Sequence, residues 1–412
     1  MRQLSGRAAE RFVARVAARG SAPTAAEPLA RRVIRDVRRQ GDRALLRYAR
    51  RWDGLERGQS LRVAGAELEA AAQFLAPAVR RSLLLAAANI RRFCQWQKPR
   101  SWTRTRRGIA LGQLVQPLES VACYVPGGRH PLVSTLLMTV IPAQAAGVEH
   151  IRVVSPRPSL EVLGAAQLLG VREFYRIGGA QAVAALAYGT RSIPRVDKIV
   201  GPGNAYVTAA KKLVSFDCAI DFLAGPTEAV VLSEKGNPAC IASDLVAQAE
   251  HDPDALSVFI TCSSALARAV AAEAASLARS NAVARQALRN GAILVAASRD
   301  QAREWANRLA SEHLTVDAED APFVRHAGSL FIGDHSPQAA GDYASGPNHV
   351  LPTAGQARFR GGLSVLDFVK VITVQQLSPA GLRGIAPAVE CLAETEGLAA
   401  HAHSIRVRCA HA

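Results

Sequence analysis

The spacing of hydrophobic residues divides the chain into a helical first part and an alternating second part. Apolar residues recur at helical intervals within residues 1–95, which are therefore predicted to be helical. From residue 150 onward, β-branched runs alternate with helical segments, beginning HIRVVSP, LEVLGAAQLLG, EFYRI, AQAVAALAYG. A second series of the same kind runs from EAVVLS to GSLFIG. Repeated βα units are typical of parallel sheets covered by helices, so the chain is predicted to be an α/β protein with two similar parallel-sheet domains.

A long irregular segment follows the second series. Residues 334–364 are rich in Gly, Pro, Ser and Asn, and a loop of that length inside a compact protein usually has a function. After it, VLDFVKVITVQQL and a helical stretch complete the predicted elements.

Length and composition indicate a soluble globular protein. At 412 residues the chain is long enough for about two to four domains, and 49% hydrophobic with 20% charged residues is ordinary for this class. We find no apolar run as long as a membrane span and no secretory signal at the N-terminus. The Arg-rich start resembles a transit peptide, but Glu10 and the similar sequence up to residue 51 favour a surface helix.

Positive charge is concentrated in the first quarter. Residues 1–110 carry a net charge of +17 and the rest of the chain −1. This could indicate nucleic-acid binding, but the arginines are spread at helical intervals and no nucleic-acid motif accompanies them. Solvated helix surfaces are the preferred interpretation, and neither nucleic acid nor a membrane is expected as a partner.

The seven cysteines are scattered and include no C-x-x-C pair. Neither a disulfide scaffold nor a cysteine zinc site is therefore expected, and the predicted location is cytoplasmic. Cys123 could be a nucleophile, but a small buried cysteine is the commoner case.

Three glycine-rich turns lie between predicted strands and helices. They are CYVPGGRHPLVS (123–134), IGGAQAVA (177–184) and GPGNAYVTAAKK (201–212). Free N–H groups at the start of a helix suit an anionic ligand, although each turn could equally be structural. None is a complete G-x-G-x-x-G dinucleotide fingerprint, because the third glycine is absent from the GPGN turn.

Three segments gather nitrogen and oxygen ligands. Gln248 and His251 lie three residues apart in a predicted helix and share one face. Asp342 and His349 flank a Ser-Gly-Pro turn, and Glu396 precedes His401 by five residues, within 396–401. Such a mixed set suits a divalent metal such as zinc in a catalytic role.

Glu312 and His313 form an adjacent acid and imidazole. Such a pair suits general acid–base catalysis, because His titrates near neutral pH and Glu can activate a water. As an isolated dipeptide it could equally lie at the surface.

Taken together, these motifs resemble those of the histidinol dehydrogenase family. The resemblance covers about residues 20–410 and is carried by YVPGG (124–128), GGAQA (178–182), VDKIVGPGNAYVTAAKK (196–212), AIDFLAGPTE (219–228), SDLVAQAEHDPDA (243–255), SEHL (311–314), AGDYASGPNHVLPT (340–353) and EGLAAH (396–401). It implies a zinc-dependent, four-electron oxidation of L-histidinol to L-histidine with two NAD, in the last steps of histidine biosynthesis.

The resemblance also implies roles for individual residues. Glu312 and His313 would be the acid–base pair. One zinc ion per subunit would be held by Gln248, His251, Asp342 and His401. The substrate site would include Thr227, Gln248, His251, His313, Asp342, His349, Glu396 and His401. NAD would contact Tyr124, Gln181 and Asn204.

It implies, finally, a homodimer with shared active sites. The expected parts are a helical extension (1–20), a first Rossmann-like domain (21–123 with 228–364), a second Rossmann-like domain on the NAD side (124–227) and a dimerisation tail (365–412). Thr227 stands where the family usually has Ser. Threonine keeps the hydroxyl of serine and adds a methyl group. Because the family also includes relatives that oxidise other small alcohols, oxidation of another polar alcohol is the alternative function.

Overall fold

The computed structural model describes residues 1–20, 24–127 and 132–410. Its strands are β1 (Arg2–Ser5), β2 (Trp102–Arg106), β3 (Ile109–Pro117), β4 (Ser120–Tyr124), β5 (His150–Val154), β6 (Glu173–Tyr175), β7 (Lys198–Val200), β8 (Ala219–Ile220), β9 (Glu228–Leu232), β10 (Leu256–Thr261), β11 (Ala292–Val295), β12 (His313–Val316), β13 (Ser329–Ile332) and β14 (Val369–Leu377).

The α-helices are α1 (Gly6–Ala17), α2 (Glu27–Gln40), α3 (Asp42–Tyr48), α4 (Gly65–Gln73), α5 (Pro77–Gln97), α6 (Val133–Ala146), α7 (Leu160–Leu168), α8 (Gly179–Tyr188), α9 (Ala205–Val214), α10 (Pro238–Ala249), α11 (Ser264–Leu277), α12 (Ala282–Ala287), α13 (Arg299–Leu309), α14 (Gln338–Tyr343), α15 (Pro379–Thr395) and α16 (Ala399–Ala410). A π-helical turn covers Ala49–Asp53. Short 3₁₀ turns occupy Thr24–Ala26, Ala278–Ser280, Ala321–Phe323, Gln356–Arg358 and Val365–Phe368.

A six-stranded parallel sheet has the order β1-β11-β10-β9-β12-β13. Its inner strands β9 and β10 are buried along almost their whole length because helices cover both faces. Side chains of α1 and α13 bury one face, with Trp305 fully enclosed. Side chains of α10 and α11 cover the other face. The second predicted βα series thus forms this sheet. Its edge strand β1 was not predicted, because it lies in a region expected to be helical.

A five-stranded parallel sheet has the order β6-β5-β4-β7-β8. Helix α2 packs on α8 and α9 of this sheet, and α4 packs on α7. The apolar side chains that make the packing of α2 possible are Ala30, Val33, Ile34 and Val37, spaced for one helix face. Residues 27–73 therefore accompany the five-stranded sheet, whereas the sequence analysis grouped them with the six-stranded one. The mixed α/β class with parallel sheets is confirmed.

The chain divides into two compact units. One comprises residues 1–97 and 119–368 and contains both parallel sheets. The other comprises residues 98–118 and 369–412, in which an antiparallel sheet β14-β3-β2 accompanies α15 and α16. The predicted tail is thus joined by residues 98–118, which had been assigned to the first domain. Among the described residues, no helix has the length and apolar character needed to cross a membrane.

Candidate active site

The predicted acid–base pair lies at the amino edge of the six-stranded sheet. Helix α13 ends at Leu309, and the next residue, Ala310, adopts a left-handed backbone (φ 46°) and turns the chain towards β12. His313 begins β12 and pairs with Ala229, so Glu312 lies opposite the first residue of β9. On the other side, Gly328 approaches so closely that a Cβ there would lie 2.6 Å from the carbonyl oxygen of Glu312. Both members of the pair are buried.

Asp342 connects three of the predicted site residues. The Nε2–H of His313 donates to Asp342 Oδ1 at 3.0 Å, and the Gln248 amide donates to Oδ2 at 2.7 Å. The backbone carbonyl of Asp342 accepts from Nδ1 of His349 at 2.7 Å. Side chains from β12, α10 and the loop after α14 therefore converge on a single residue of α14.

His349 is held as a neutral imidazole. Its Nδ1–H donates to the Asp342 carbonyl, which leaves Nε2 to accept from the Thr135 hydroxyl at 3.2 Å. Burial lowers the pKa of His349 because the imidazolium would lose its hydration, although the Asp342 charge opposes this shift. The sequence analysis identified His349 but not Thr135, which lies in an apolar helix.

The acid–base pair has shifted pKa values. Burial raises the pKa of Glu312 to about 8, although nearby His313 and the Glu228 N–H favour the ionised form. Burial acts to lower the pKa of His313, but the charges of Glu312 and Asp342 outweigh it, so this pKa is raised. His313 Nδ1 lies 3.8 Å from Glu312 Oε2 and has no hydrogen-bond partner. Both members of the pair therefore hold a proton more tightly than an ordinary carboxyl or imidazole group does.

Two of the four predicted metal ligands are adjacent. The side chains of Gln248 and Asp342 are in contact, whereas His251 lies exposed beyond the end of α10. His401 lies in α16 and Glu396 lies at the end of α15, and both belong to the second unit. Across the described ranges, no group of three or more His, Cys, Asp or Glu is arranged to hold a metal ion. Gln248 makes this contact through its amide nitrogen, and its amide oxygen and the Asp342 carboxylate are of the donor types that the predicted mixed site requires.

The three glycine-rich turns follow β4, β6 and β7, at the carboxyl edge of the five-stranded sheet. Residues 128–131 of the first turn lie outside the described residues. Tyr124 and Gln181 are both buried: the Tyr124 hydroxyl accepts from Gly179 N at 3.0 Å, and the Gln181 amide donates to Asp53 at 2.9 Å. The Gln181 carbonyl oxygen is buried and has no hydrogen-bond partner. Asn204 is exposed and caps α9.

Gly201 shows why the GPGN turn needs glycine. Its φ is +111°, and a Cβ would lie 2.2 Å from the carbonyl oxygen of Tyr124. The turn is held by Asp221, which accepts from Gly201 N at 2.7 Å and forms a buried ion pair with Lys211. Lys211 in turn donates to the Gly201 carbonyl at 3.0 Å. The backbone of this turn is therefore fixed before any ligand arrives.

Thr227 and Cys123 have contrasting surroundings. Thr227 is half-buried and immediately precedes β9, two residues from the partner of His313. Cys123 is buried in β4, and burial raises its pKa to about 12. A thiol with this pKa is not a nucleophile at neutral pH, in agreement with the preferred interpretation of the sequence.

Sequence reasoning missed three charged residues around the site. Glu228 lies opposite Glu312, Arg19 pairs with Glu228, and Asp53 holds Gln181. Asp53 lies in the π-helical turn and Arg19 follows α1, both in sequence of ordinary composition, so no local signal marked them. Only Glu228, within the AGPTE motif, could have been selected from the sequence.

Comparison with known proteins gives a consistent result. The family profile described as histidinol dehydrogenase matches residues 18–409. The chain is similar to a histidinol dehydrogenase of Methanosarcina mazei, with 45% identity over 91% of this chain and 90% of that protein. The corresponding enzyme of Syntrophotalea carbinolica is 46% identical over 95% of each. The crystal structure of histidinol dehydrogenase from Elizabethkingia anophelis has a TM-score of 0.94, with 33% identity over 99% of this chain and 98% of that one.

The profile match includes Glu312, His313 and Asp342, and the two relatives match more than nine-tenths of the chain. The chain therefore belongs to the histidinol dehydrogenase family and is an oxidoreductase.

Proposed function

We propose that this enzyme oxidises L-histidinol to L-histidine in histidine biosynthesis, through an aldehyde that stays bound. Two NAD⁺ and one water are consumed, and two NADH are released. The single observation that carries this proposal is the buried Glu312–His313 pair. His313 is oriented through Nε2 by Asp342, and its Nδ1 is left without a partner. This is the arrangement expected of a general base with one ring nitrogen available to substrate.

In the first oxidation, His313 accepts the proton of the substrate hydroxyl at Nδ1. The Asp342 carboxylate stabilises the resulting imidazolium through the 3.0 Å contact at Nε2. NAD⁺ takes up the hydride in each oxidation. The carbon that loses the hydride and the hydroxyl proton becomes an aldehyde, and burial of the pair keeps bulk water away from it.

In the second oxidation, Glu312 in its ionised form accepts a proton from water, whose oxygen adds to the aldehyde carbon. His313 returns its proton to the aldehyde oxygen, so a hydrate forms and His313 is neutral again. His313 then accepts a hydroxyl proton of the hydrate as the second hydride leaves, and the product is a carboxylate. The raised pKa of Glu312, about 8, makes it a stronger base than an ordinary carboxylate. The two residues thereby serve the two halves unequally, because only the second half requires water.

We propose that Gln248, His251, Asp342 and His401 hold one zinc ion per subunit. The contact between Gln248 and Asp342 supports this donor set, and His251 follows on the same helix end. When bound, zinc would orient a substrate that offers an amino group and an imidazole nitrogen. Asp342 would then both bind the metal and orient His313.

We propose further that the enzyme is a homodimer in which Glu396 and His401 complete the site of the other subunit. Tyr124, Gln181 and Asn204 are proposed to contact NAD, and Thr227 and His349 to contact substrate. The buried carbonyl oxygen of Gln181 has no hydrogen-bond partner, and this supports the assignment of Gln181 to NAD contact, because buried polar atoms generally have a partner.

The test is to count NADH formed per substrate molecule. Histidinol should give two NADH, with histidine as the only product by chromatography. The alternative, oxidation of another polar alcohol, predicts turnover of simple or sulfonated diols and none of histidinol. A yield of one NADH with release of free aldehyde would contradict the four-electron reaction.

A further inference from the structure

Arg19 joins three segments around the acid–base pair although it lies outside the site. It follows α1, and its guanidinium donates to both carboxylate oxygens of Glu228 at 2.6 Å. The same group donates to the carbonyl of Leu309 at 3.0 Å, at the end of α13. Leu309 is only three residues before Glu312. A single side chain thus contacts both the first residue of β9 and the end of the helix that leads into Glu312.

Glu228 transmits this constraint to Glu312. Its backbone N–H donates to Glu312 Oε2 at 3.0 Å, so the position of the β9 start determines where the Glu312 carboxylate lies. Its Oε1 also accepts from Ala354 N at 2.8 Å, which secures the long loop after α14. The Glu228 side chain is only 5% exposed, so its charge requires the bidentate arginine.

The need for this pairing follows from the strand register. His313 pairs with Ala229, which places two carboxylates, Glu228 and Glu312, opposite each other at the same buried edge. When Glu312 is ionised, as water activation requires, the two like charges would repel each other, and one side chain would have to move or be neutralised. Arg19 neutralises Glu228, so both side chains can remain at this edge.

We propose that Arg19 and Glu228 are positioning residues for Glu312. They hold the β9 N–H against its carboxylate and fix the turn between α13 and β12. Neither is a group that contacts substrate. This inference rests on the proposed function, in which Glu312 activates water for the second oxidation.

The first experiment compares Arg19→Met with Arg15→Met, a matched control. Arg15 is exposed on α1 and packs its guanidinium against the Phe12 ring. Arg19→Met should lower kcat for histidinal oxidation by up to about 10²-fold, with much less change in KM, because the loss is one of orientation. Arg19→Lys should restore part of the rate, since lysine keeps the charge but not the fork. Equal rates in the Arg19→Met and Arg15→Met enzymes would overturn the proposal.

A double-mutant cycle separates positioning from a general structural role. If Arg19 acts through Glu312, adding Arg19→Met to Glu312→Gln should cause little further loss of histidinal oxidation. If the fold-losses of the two single variants multiply in the double variant, Arg19 does not act through Glu312. If the Arg19→Met enzyme does not fold, the double variant Arg19→Met with Glu228→Gln, which removes both charges of the pair, replaces Arg19→Met in the cycle.

Hydrogen exchange provides a readout that does not depend on activity. In Arg19→Met, peptides containing residues 227–229 and 309–313 should exchange faster than in Arg15→Met. Unchanged exchange would overturn the positioning role even if the enzyme acted on another alcohol. If the wild-type enzyme does not oxidise histidinol but the Arg19→Met enzyme still exchanges faster in these peptides, the proposed substrate is refuted and the positioning role stands.

Discussion

His313 Nε2 lies 3.0 Å from Asp342 Oδ1, so the acid–base pair and the proposed metal site share one carboxylate. Asp342 also accepts from Gln248, and its pKa is lowered, because the contacts with His313 outweigh the effect of burial. Asp342 is therefore ionised at neutral pH. Any change at this residue should affect both the proton transfers of His313 and the proposed metal affinity.

Glu312 should make the enzyme less stable as pH rises. Its pKa is about 8 in the folded protein against an ordinary value of 4.5, so the native state binds the proton more tightly than the unfolded state. The stabilising contribution is complete below about pH 4.5 and is lost as pH rises to about 8. Glu312→Gln should therefore gain stability relative to wild type over this window, measured by urea unfolding. Glu304→Gln, exposed on α13, is the control, and a parallel pH dependence of all three proteins would contradict the prediction.

The two oxidations should respond differently to changes in the pair. Glu312→Gln should slow oxidation of histidinal more than oxidation of histidinol to the aldehyde, whereas His313→Asn should slow both. Each lost proton transfer is expected to cost ~10²–10⁴-fold. Single-turnover NADH formation from each substrate decides the matter. Equal slowing of both halves by Glu312→Gln would show that this residue is not a dedicated water activator.

Loss of His251 should remove the metal. Wild-type enzyme is expected to contain about one zinc per subunit and to lose turnover with strong chelators. His251→Ala should reduce bound metal as measured by elemental analysis, and exposed His335→Ala should not. A metal-free His251→Ala enzyme with normal activity would refute the ligand assignment.

Hybrid dimers should recover activity. We expect Glu312→Gln and His401→Ala chains to be inactive separately. When they are mixed and reassembled, one of the two sites in a hybrid would combine an intact Glu312 with an intact His401. Native mass spectrometry would confirm that hybrids form, and hybrids without activity would place His401 in the site of its own subunit.

Gly201→Ala should weaken cofactor use. The added Cβ would meet the Tyr124 carbonyl, and φ is +111°, so the turn cannot keep its backbone path. KM for NAD should rise with little change in the affinity for histidinol. Gly333→Ala is the control, because its φ is also positive (+76°) but its Cβ would meet open space. Similar KM values for NAD in the two variants would show that the GPGN turn does not contribute to cofactor binding.

Local patterns predicted much of this fold and less of its packing. The βα series of both sheets could be read from the period of apolar residues, as could the three turns after β4, β6 and β7. The strand at Arg2–Ser5 could not, because four mostly exposed residues carry no clear period. The pairing of Arg19 with Glu228 joins residues 209 positions apart, which no local pattern can reveal. Glu312, His313 and Asp342 were identified through their motifs, whereas their convergence required the structure.

The pairing of β3 with β14 has a consequence during synthesis of the chain. These nine-residue strands join residues 109–117 to residues 369–377. While the ribosome is still making the intervening segment, β3 can pair only with β2, and its other edge stays open. Leu111 and Leu114 on β3 are apolar and remain substantially exposed even after folding. An open strand edge with apolar side chains invites association with other chains, so chaperone demand should be greatest just before β14 emerges.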